Sequence, residues 1–134
     1  MTSLHIFLYQ QLRANILKKL LIVEDDNDML SLMGYLFDES EFEIEESQKP
    51  IPIPGIVRLN PSIVVIDCFL DNAQYCNDMC LEMKSNPITK DIPVILYSTS
   101  PELKTMAENC GAGAYINKPF VLYYFVKMVR VLAL

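Results

Sequence analysis

Polar residues that could do chemistry follow or end four of the five short apolar runs in this sequence. Glu24 and Asp25 follow LLIV, Asp67 ends SIVVID, Ser98 follows VILY and Lys118 follows AYIN. If these runs are parallel strands, their carboxyl ends lie at one edge of a sheet, which is where ligands bind in such sheets. The sequence therefore predicts that these five side chains share one site.

Three of these residues are carboxylates, and bringing them together has an electrostatic consequence. Carboxylates held close together repel one another, so either their pKa values rise or a cation neutralises them. Mg²⁺ prefers oxygen ligands and keeps several of its waters, so it is the natural candidate. Glu24, Asp25 and Asp67 therefore predict a Mg²⁺ site.

The apolar runs that must position these residues have the length of strands and alternate with helical patterns. Three of the runs are nearly continuous Val, Ile and Leu, which is typical of parallel strands covered by helices on both faces. We therefore expect an α/β fold with a doubly wound, five-stranded parallel sheet. The order 2-1-3-4-5, which is common in such sheets, would put the ligand site between the first and third strands. The predicted strands are residues 19–23, 42–45, 62–66, 92–97 and 114–117.

Helix signals separate these strands. The clearest helix covers residues 27–37 behind Asp26, and another covers residues 75–84. A third is expected to start at Ser100 and to stop at Gly111. The last helix follows Pro119.

The second crossover is the exception to this pattern. Pro50, Pro52 and Pro54 occupy alternate positions, and a helix cannot pass through them. At most residues 55–59 are expected to be helical. The second crossover helix is therefore predicted to be short or degenerate.

Composition limits the classes of protein that fit. The 134 residues suit one domain, and 51% hydrophobic with 21% charged residues excludes a disordered chain. The net charge of −6 argues against direct nucleic-acid binding. No apolar run approaches the roughly 18 to 20 residues that cross a membrane, and the first residues lack the features of a signal peptide.

The motifs around the five residues together resemble the receiver domain of two-component response regulators. LIVEDDND carries the acidic pair, SIVVIDCFL the phosphoacceptor, IPVILYSTS the hydroxyl and GAGAYINKPF the lysine. The resemblance implies a flavodoxin-like receiver fold over residues 18–134, preceded by an extension over residues 1–17. The extension has a helical spacing of apolar residues at Leu4, Leu8, Leu12 and Ile16.

The resemblance assigns the acidic residues to phosphoryl transfer and metal binding. It implies that Asp67 takes a phosphoryl group from a histidine kinase or a phosphotransfer protein. Asp25, Asp67 and the backbone carbonyl of Phe69 would ligate Mg²⁺, and Glu24 would act mostly through a metal-bound water. Self-catalysed transfer and hydrolysis are then the chain's own reactions, and it is not expected to be an enzyme acting on a separate substrate.

The resemblance also assigns the residues around the phosphoryl group. Ser98 and Lys118 would contact its oxygens, and the backbone N–H groups of Phe69 and Thr99 would complete the cradle. Tyr115 occupies the position of the family's switch aromatic, which turns inward with the hydroxyl residue. Lys118 and Pro119 resemble the family's cis peptide.

The expected role is a cytoplasmic signalling switch without its own output domain. Its signal would pass to a downstream protein through the face of the family's fourth helix, fifth strand and fifth helix. Among residues 120–134 only Lys127 and Arg130 are charged, so the outer side of this helix is expected to be covered. A homodimer is favoured, while docking of the extension and an external partner stay open.

Departures from the family pattern keep other functions open. Most relatives carry proline and glycine soon after the phosphoacceptor, whereas here Asp71 replaces the proline and the glycine is missing. This favours the alternative of a degenerate receiver that acts as a phosphorylation-independent interaction or dimerisation module. A third alternative, an Mg²⁺-dependent phosphohydrolase with a D-x-D motif, is disfavoured because Phe69 occupies the second acidic position.

The four cysteines show no metal-binding spacing. Cys68, Cys76, Cys80 and Cys110 contain no C-x-x-C pair, and the single histidine, His5, lies far from them in sequence. They are interpreted as buried thiols that act as small hydrophobic residues in a reducing compartment.

Overall fold

A five-stranded parallel sheet in the order β2-β1-β3-β4-β5 organises the chain, as the sequence predicts. The computed structural model describes residues 2–68 and 74–134, without the side chains of residues 13–16 and 74. The strands are β1 Lys18–Val23, β2 Phe42–Ser47, β3 Ile63–Asp67, β4 Val94–Ser98 and β5 Ala114–Asn117. The helices are α1 Ser3–Ile16, α2 Asn27–Leu36, α3 Ile53–Leu59, α4 Gln74–Ser85, α5 Leu103–Cys110 and α6 Leu122–Leu132.

The three central strands are the most buried part of the sheet. Every residue of β3 and β4 is buried, and so are the last four residues of β1. Each sheet face packs against its own apolar layer of helices, because side chains alternate between the two faces along a strand. The burial of continuous aliphatic runs on both faces is the reason that their hydrophobic pattern does not alternate.

Local capping sets the ends of the helices beside the sheet. The Oδ1 atom of Asp26 accepts hydrogen bonds from the N–H groups of Asp28 and Met29, which starts α2 as expected. Gly111 ends α5 at φ 81°, in the left-handed region that glycine adopts without a steric penalty. Ser100 does not begin α5. Its Oγ atom accepts the N–H of Glu102 within a turn, and the helix starts after that turn.

The second crossover is short, as the prolines predict. Helix α3 has seven residues and begins at Ile53, two residues before the predicted segment 55–59. Pro52 is its N-cap and Pro54 lies in its first turn, so the expectation that Pro54 would be outside the helix is wrong. Proline is tolerated there because the first N–H groups of a helix have no partner within the helix.

Helices α1 and α6 leave apolar side chains uncovered in the single chain. The predicted helix of the extension forms, but Leu8 is 53% exposed and Leu12 is 59% exposed. On α6, Phe125 and Val129 are buried, whereas Tyr124 and Val131 are 61% and 57% exposed. Among the described helices, none has the length and apolar character needed to cross a membrane.

Candidate functional site

The five predicted residues lie at the carboxyl edge of the sheet. Glu24 and Asp25 follow β1, Asp67 ends β3, Ser98 ends β4 and Lys118 follows β5. The strand order reverses between β1 and β3, so the acids on these two neighbouring strands flank the crevice between them. The parallel arrangement therefore brings residues from four separate parts of the chain to one edge.

Three carboxylates form a compact cluster at this edge. One oxygen from each of Glu24, Asp25 and Asp67 lies within 4.8 Å of the others. Glu24 is 1% exposed and Asp67 is 2% exposed, whereas Asp25 is open to solvent. Two buried carboxylates and one exposed carboxylate could bind Mg²⁺, which keeps part of its water shell when it binds to proteins.

Lys118 supplies a positive charge to this cluster. Its Nζ atom is 3.2 Å from Oδ1 of Asp67 and 3.9 Å from Oε1 of Glu24. The backbone N–H of Lys118 donates to the carbonyl of Ser98 at 2.9 Å, which joins the ends of β4 and β5. The Lys118–Pro119 peptide is cis, as the resemblance implies.

Glu24 has the most perturbed carboxyl group of the cluster. Burial, followed by the hydrogen bond and the negative charge of Asp67, raises the pKa of Glu24 to about 8 against the opposing charge of Lys118. Its Oε2 atom is buried and has no hydrogen-bond partner among the described residues. A buried, unpartnered oxygen beside two other carboxylates is what a cation would satisfy, so the residues fit Mg²⁺.

Tyr97 contributes to the site although the sequence analysis did not select it. Its ring lies beneath Lys118, with Nζ 4.4 Å from the ring centroid. Its hydroxyl is buried without a hydrogen-bond partner in the described part of the chain. Burial, followed by the charges of Glu24 and Asp67, raises the pKa of Tyr97. The signal in the sequence was an aromatic side chain with a polar end, next to Ser98 in a strand that is otherwise aliphatic.

The remaining predicted residues occupy positions near this cluster. The side chain of Ser98 is buried at the end of β4, and its Oγ atom accepts the N–H of Ser100 at 3.0 Å. Thr99, next in the chain, is exposed. Tyr115 is half-buried against the apolar layer that contains α4 and α5. These placements leave the roles of the three residues as predictions.

The segment after Asp67 is only partly described. Phe69, expected to provide a metal ligand and a backbone N–H, and Asp71, which replaces the family's proline, lie outside the described residues. Beyond them, Tyr75 donates a hydrogen bond from its hydroxyl to the backbone carbonyl of Asp67. The first turn of α4 therefore contacts Asp67 directly.

The interpretation of all four cysteines as free thiols is wrong for two of them. Cys68 and Cys76 form a disulfide with their Cα atoms 5.3 Å apart. The fold places Cys68 just past the end of β3 and Cys76 in the first turn of α4, a proximity that the eight-residue separation did not reveal. Cys80 and Cys110 are buried free thiols.

Comparisons with known proteins place the fold. No protein-family model matches the sequence, and neither does any curated protein. A structure described as a response regulator of Chloroflexus aurantiacus J-10-fl is similar at 21% identity and TM-score 0.76, over 87% of this chain and 98% of that one.

Two further similar structures show a receiver domain with bound magnesium and a phosphorylated response regulator. The receiver domain of a sensor histidine kinase from Pseudomonas aeruginosa PAO1, with magnesium coordinated in its active-site cleft, has 17% identity, TM-score 0.72 and coverage of 87% and 98%. A phosphorylated cyanobacterial phytochrome response regulator has 20% identity, TM-score 0.67 and coverage of 86% and 90%. At these identities the likeness establishes the fold, which is that of response-regulator receiver domains.

Proposed function

We propose that this chain is a phosphorylation-dependent signalling switch of the receiver type, with Asp67 as its phosphoacceptor. The observation that carries the proposal is the contact between Asp67 and Lys118, at 3.2 Å, inside a cluster of three carboxylates at the carboxyl edge of the sheet. An isolated acidic cluster would suggest only a cation site. The lysine adds the positive charge that a transferred phosphoryl group needs.

The donor is expected to be a phosphohistidine of a histidine kinase or of a phosphotransfer protein. A carboxylate oxygen of Asp67 attacks phosphorus, an O–P bond forms, and the N–P bond to the histidine breaks. Such transfers depend on positioning and charge more than on covalent help from the protein. Lys118 then contacts the phosphoryl oxygens together with the hydroxyl of Ser98 and the backbone N–H groups of Phe69 and Thr99.

Mg²⁺ is the expected cofactor. Asp25, Asp67 and the backbone carbonyl of Phe69 would hold it, with Glu24 acting mostly through a bound water. When bound, the ion neutralises negative charge on the phosphoryl oxygens and on the carboxylates. The magnesium described for the Pseudomonas receiver domain and the phosphorylation of the cyanobacterial relative support this proposal.

The phosphoryl group is expected to shift the conformation of the chain. Reversing an equilibrium from 1:99 to 99:1 needs about 5.5 kcal/mol of differential binding. Two hydrogen bonds to a charged group, from Ser98 and Lys118, supply roughly 1.5 to 3 kcal/mol each. Movement of Ser98 toward the phosphoryl group would allow Tyr115 to turn inward and change the surface next to β5.

The output of the switch is expected to be a protein contact. The surface formed by α5, β5 and α6 is the proposed interaction face, with a homodimer and a downstream protein as partners. Residues 18–134 are the proposed receiver unit, and residues 1–17 are an extension. The proposed location of the chain is the cytoplasm. The exposed apolar side chains Val121, Tyr123, Tyr124 and Val131 on and beside α6 support this choice.

Beryllofluoride, a stable mimic of an acyl phosphate, tests the proposal. Two-dimensional NMR spectra recorded with Mg²⁺ should show saturable shifts at the carboxyl edge of the sheet and at α6. Asp67→Asn should lose them, and Asp38→Asn, an exposed aspartate outside the cluster, should keep them. Absence of any shift in the wild type would contradict the proposal and favour a degenerate receiver that works as an interaction or dimerisation module.

A further inference from the structure

The disulfide beside the phosphoacceptor is not used by the proposed function. Cys68 follows Asp67 directly, and its partner Cys76 follows Tyr75 in the first turn of α4. The hydroxyl of Tyr75 donates to the backbone carbonyl of Asp67. Two neighbouring residues of α4 are thus fastened to two neighbouring residues at the end of β3, one by a covalent bond and the other by a hydrogen bond.

Cys68 is also tied to the strand next to it. Its backbone N–H donates to the carbonyl of Tyr97 at 2.9 Å, and the ring of Tyr97 lies beneath Lys118. The disulfide therefore joins α4 to Cys68. Asp67 precedes Cys68 in the chain, and Tyr97 lies on the neighbouring strand. Both Asp67 and Tyr97 contact Lys118. These contacts connect the first turn of α4 to the acidic cluster.

We propose that Cys68 and Cys76 form a redox-responsive site that gives the switch a second input. This inference rests on the proposed function, because the property that the bond controls is Mg²⁺ binding by the acidic cluster. In the oxidised chain the bond and the Tyr75 contact hold Asp67 in its binding position. In the reduced chain the first turn of α4 is less constrained, and the cluster binds Mg²⁺ more weakly.

The chemistry needs a low-molecular-weight disulfide as the oxidant. One cysteine thiolate attacks that disulfide and forms a mixed disulfide, with one small thiol as the leaving group. The second cysteine thiolate then attacks the mixed disulfide, which forms the Cys68–Cys76 bond and releases the second small thiol. The two cysteines lose two electrons and two protons in total, and the small disulfide gains both.

The proposed cytoplasmic location favours a regulatory role for this bond over a purely structural one. In reducing compartments, disulfides are rare and are mostly transient or redox-sensing. Both sulfur atoms are buried, so exchange requires local opening at the start of α4. The other two cysteines, Cys80 and Cys110, remain thiols in the same apolar layer, which shows that burial in this layer does not by itself produce a bond.

The first part of the test measures the redox state of the full chain. After treatment with oxidised glutathione, alkylation in denaturant with N-ethylmaleimide should add two labels to the wild type, and after reduction it should add four. Cys76→Ala should take three labels after reduction; after oxidation it should take either three labels or two labels with one bound glutathione, because no second cysteine resolves the mixed disulfide. Four labels on the wild type after oxidation would overturn the inference.

The second part measures the dissociation constant for Mg²⁺ by NMR titration in each redox state. Reduction of the wild type should raise it roughly tenfold, as is common when groups that orient metal ligands are lost. Cys80→Ala, which removes a buried thiol one turn further along α4, should keep this response. Cys76→Ala should have the higher constant in both states.

Two results would contradict the inference in distinguishable ways. Equal dissociation constants in oxidised and reduced wild type would overturn the redox input and leave the proposed function standing. No Mg²⁺ binding in either state would overturn both. The wild-type comparison involves no substitution, so it decides the question even if Cys76→Ala does not fold.

Discussion

The ammonium group of Lys118 lies 4.4 Å from the centroid of the Tyr97 ring while it contacts Asp67 at 3.2 Å. The aromatic ring thus packs against the ammonium group while that group contacts Asp67. A cation over an aromatic face gains about 0.5 to 2 kcal/mol, depending on how far it is desolvated. Lys118 is 16% exposed, so this contact is largely shielded from water.

Substitutions at Tyr97 should separate its ring from its hydroxyl. Tyr97→Phe keeps the ring and removes a buried hydroxyl without a hydrogen-bond partner, so the free energy of unfolding should stay the same or rise by about 1 kcal/mol. Tyr97→Leu loses the cation contact and leaves a cavity, so the free energy of unfolding should fall by about 2 kcal/mol or more. Urea unfolding at pH 7 measures both. Equal destabilisation by the two variants would contradict a role for the ring.

The raised pKa of Glu24 predicts a pH dependence of stability in the absence of metal. The folded chain keeps this proton up to a pKa of about 8, whereas the unfolded chain releases it near its ordinary value of 4.5. Between these values the folded state binds more protons, so stability is fully present at low pH and falls as pH rises toward 8.

Urea unfolding from pH 5 to pH 8 measures this dependence. Wild type should lose about 1 kcal/mol or more over that range, and Glu24→Gln should lose less. Glu39→Gln, at an exposed position, should behave as wild type. Saturating Mg²⁺ should restore stability at pH 8, because the ion replaces the proton. A Glu24→Gln profile that matches the wild type would contradict the assignment.

Removal of the lysine should have opposite effects on two ligands. Lys118→Met leaves Glu24 and Asp67 without their nearby cation, so the cluster becomes more negative and the dissociation constant for Mg²⁺ should fall. Beryllofluoride binding should weaken at least about tenfold, because a hydrogen bond to a charged group is lost. Lys104→Met, at an exposed position on α5, is the control for both measurements. Weaker Mg²⁺ binding by Lys118→Met would contradict this prediction.

Self-association should depend on the uncovered face of α6. Val131 is 57% exposed there, and Val131→Lys should raise the dimer dissociation constant at least about tenfold, because an unpaired ammonium is costly to bury. Ile88→Lys changes an equally apolar residue, 71% exposed, away from this face and should leave association unchanged. Analytical ultracentrifugation measures both. A monomeric wild type, or a dimer unaffected by Val131→Lys, would contradict the proposed interface.

The extension should be tested in the same way. A chain that begins at Leu17 lacks the exposed apolar residues of α1, including Leu4, Leu8 and Leu12. If α1 contributes to association, removing it should weaken the dimer. An unchanged dissociation constant would show that α1 is not part of the interface.

The sequence predicted the sheet and the acidic edge because both depend on local patterns. The continuous aliphatic runs that end at Val23 and Ile66 indicate buried parallel strands, and the parallel arrangement then carries Glu24 and Asp67 to one edge. The prolines predicted a short second crossover helix, but that helix begins at Ile53, two residues before the predicted start at Gly55. Residues that a strand pattern carries to this edge could therefore be predicted from the sequence.

Contacts between separate helices and strands could not be predicted from local sequence patterns. The Cys68–Cys76 bond depends on the direction in which α4 leaves the sheet, and the ring of Tyr97 meets Lys118 only because two strands pack side by side. The sequence predicted the start of α5 too early for a related reason. Ser100 and Pro101 favour a helix start, but the side chain of Ser100 instead stabilises a turn that delays the helix to Leu103.

The phosphoacceptor itself is tested most directly by intact-mass spectrometry after incubation with acetyl phosphate and Mg²⁺. The proposed function predicts the addition of one phosphoryl group to the wild type, dependent on Mg²⁺, located at Asp67 and lost in Asp67→Asn. Asp38→Asn should be phosphorylated as the wild type is. An unmodified wild type, or a phosphoryl group that persists in Asp67→Asn, would contradict the assignment of Asp67.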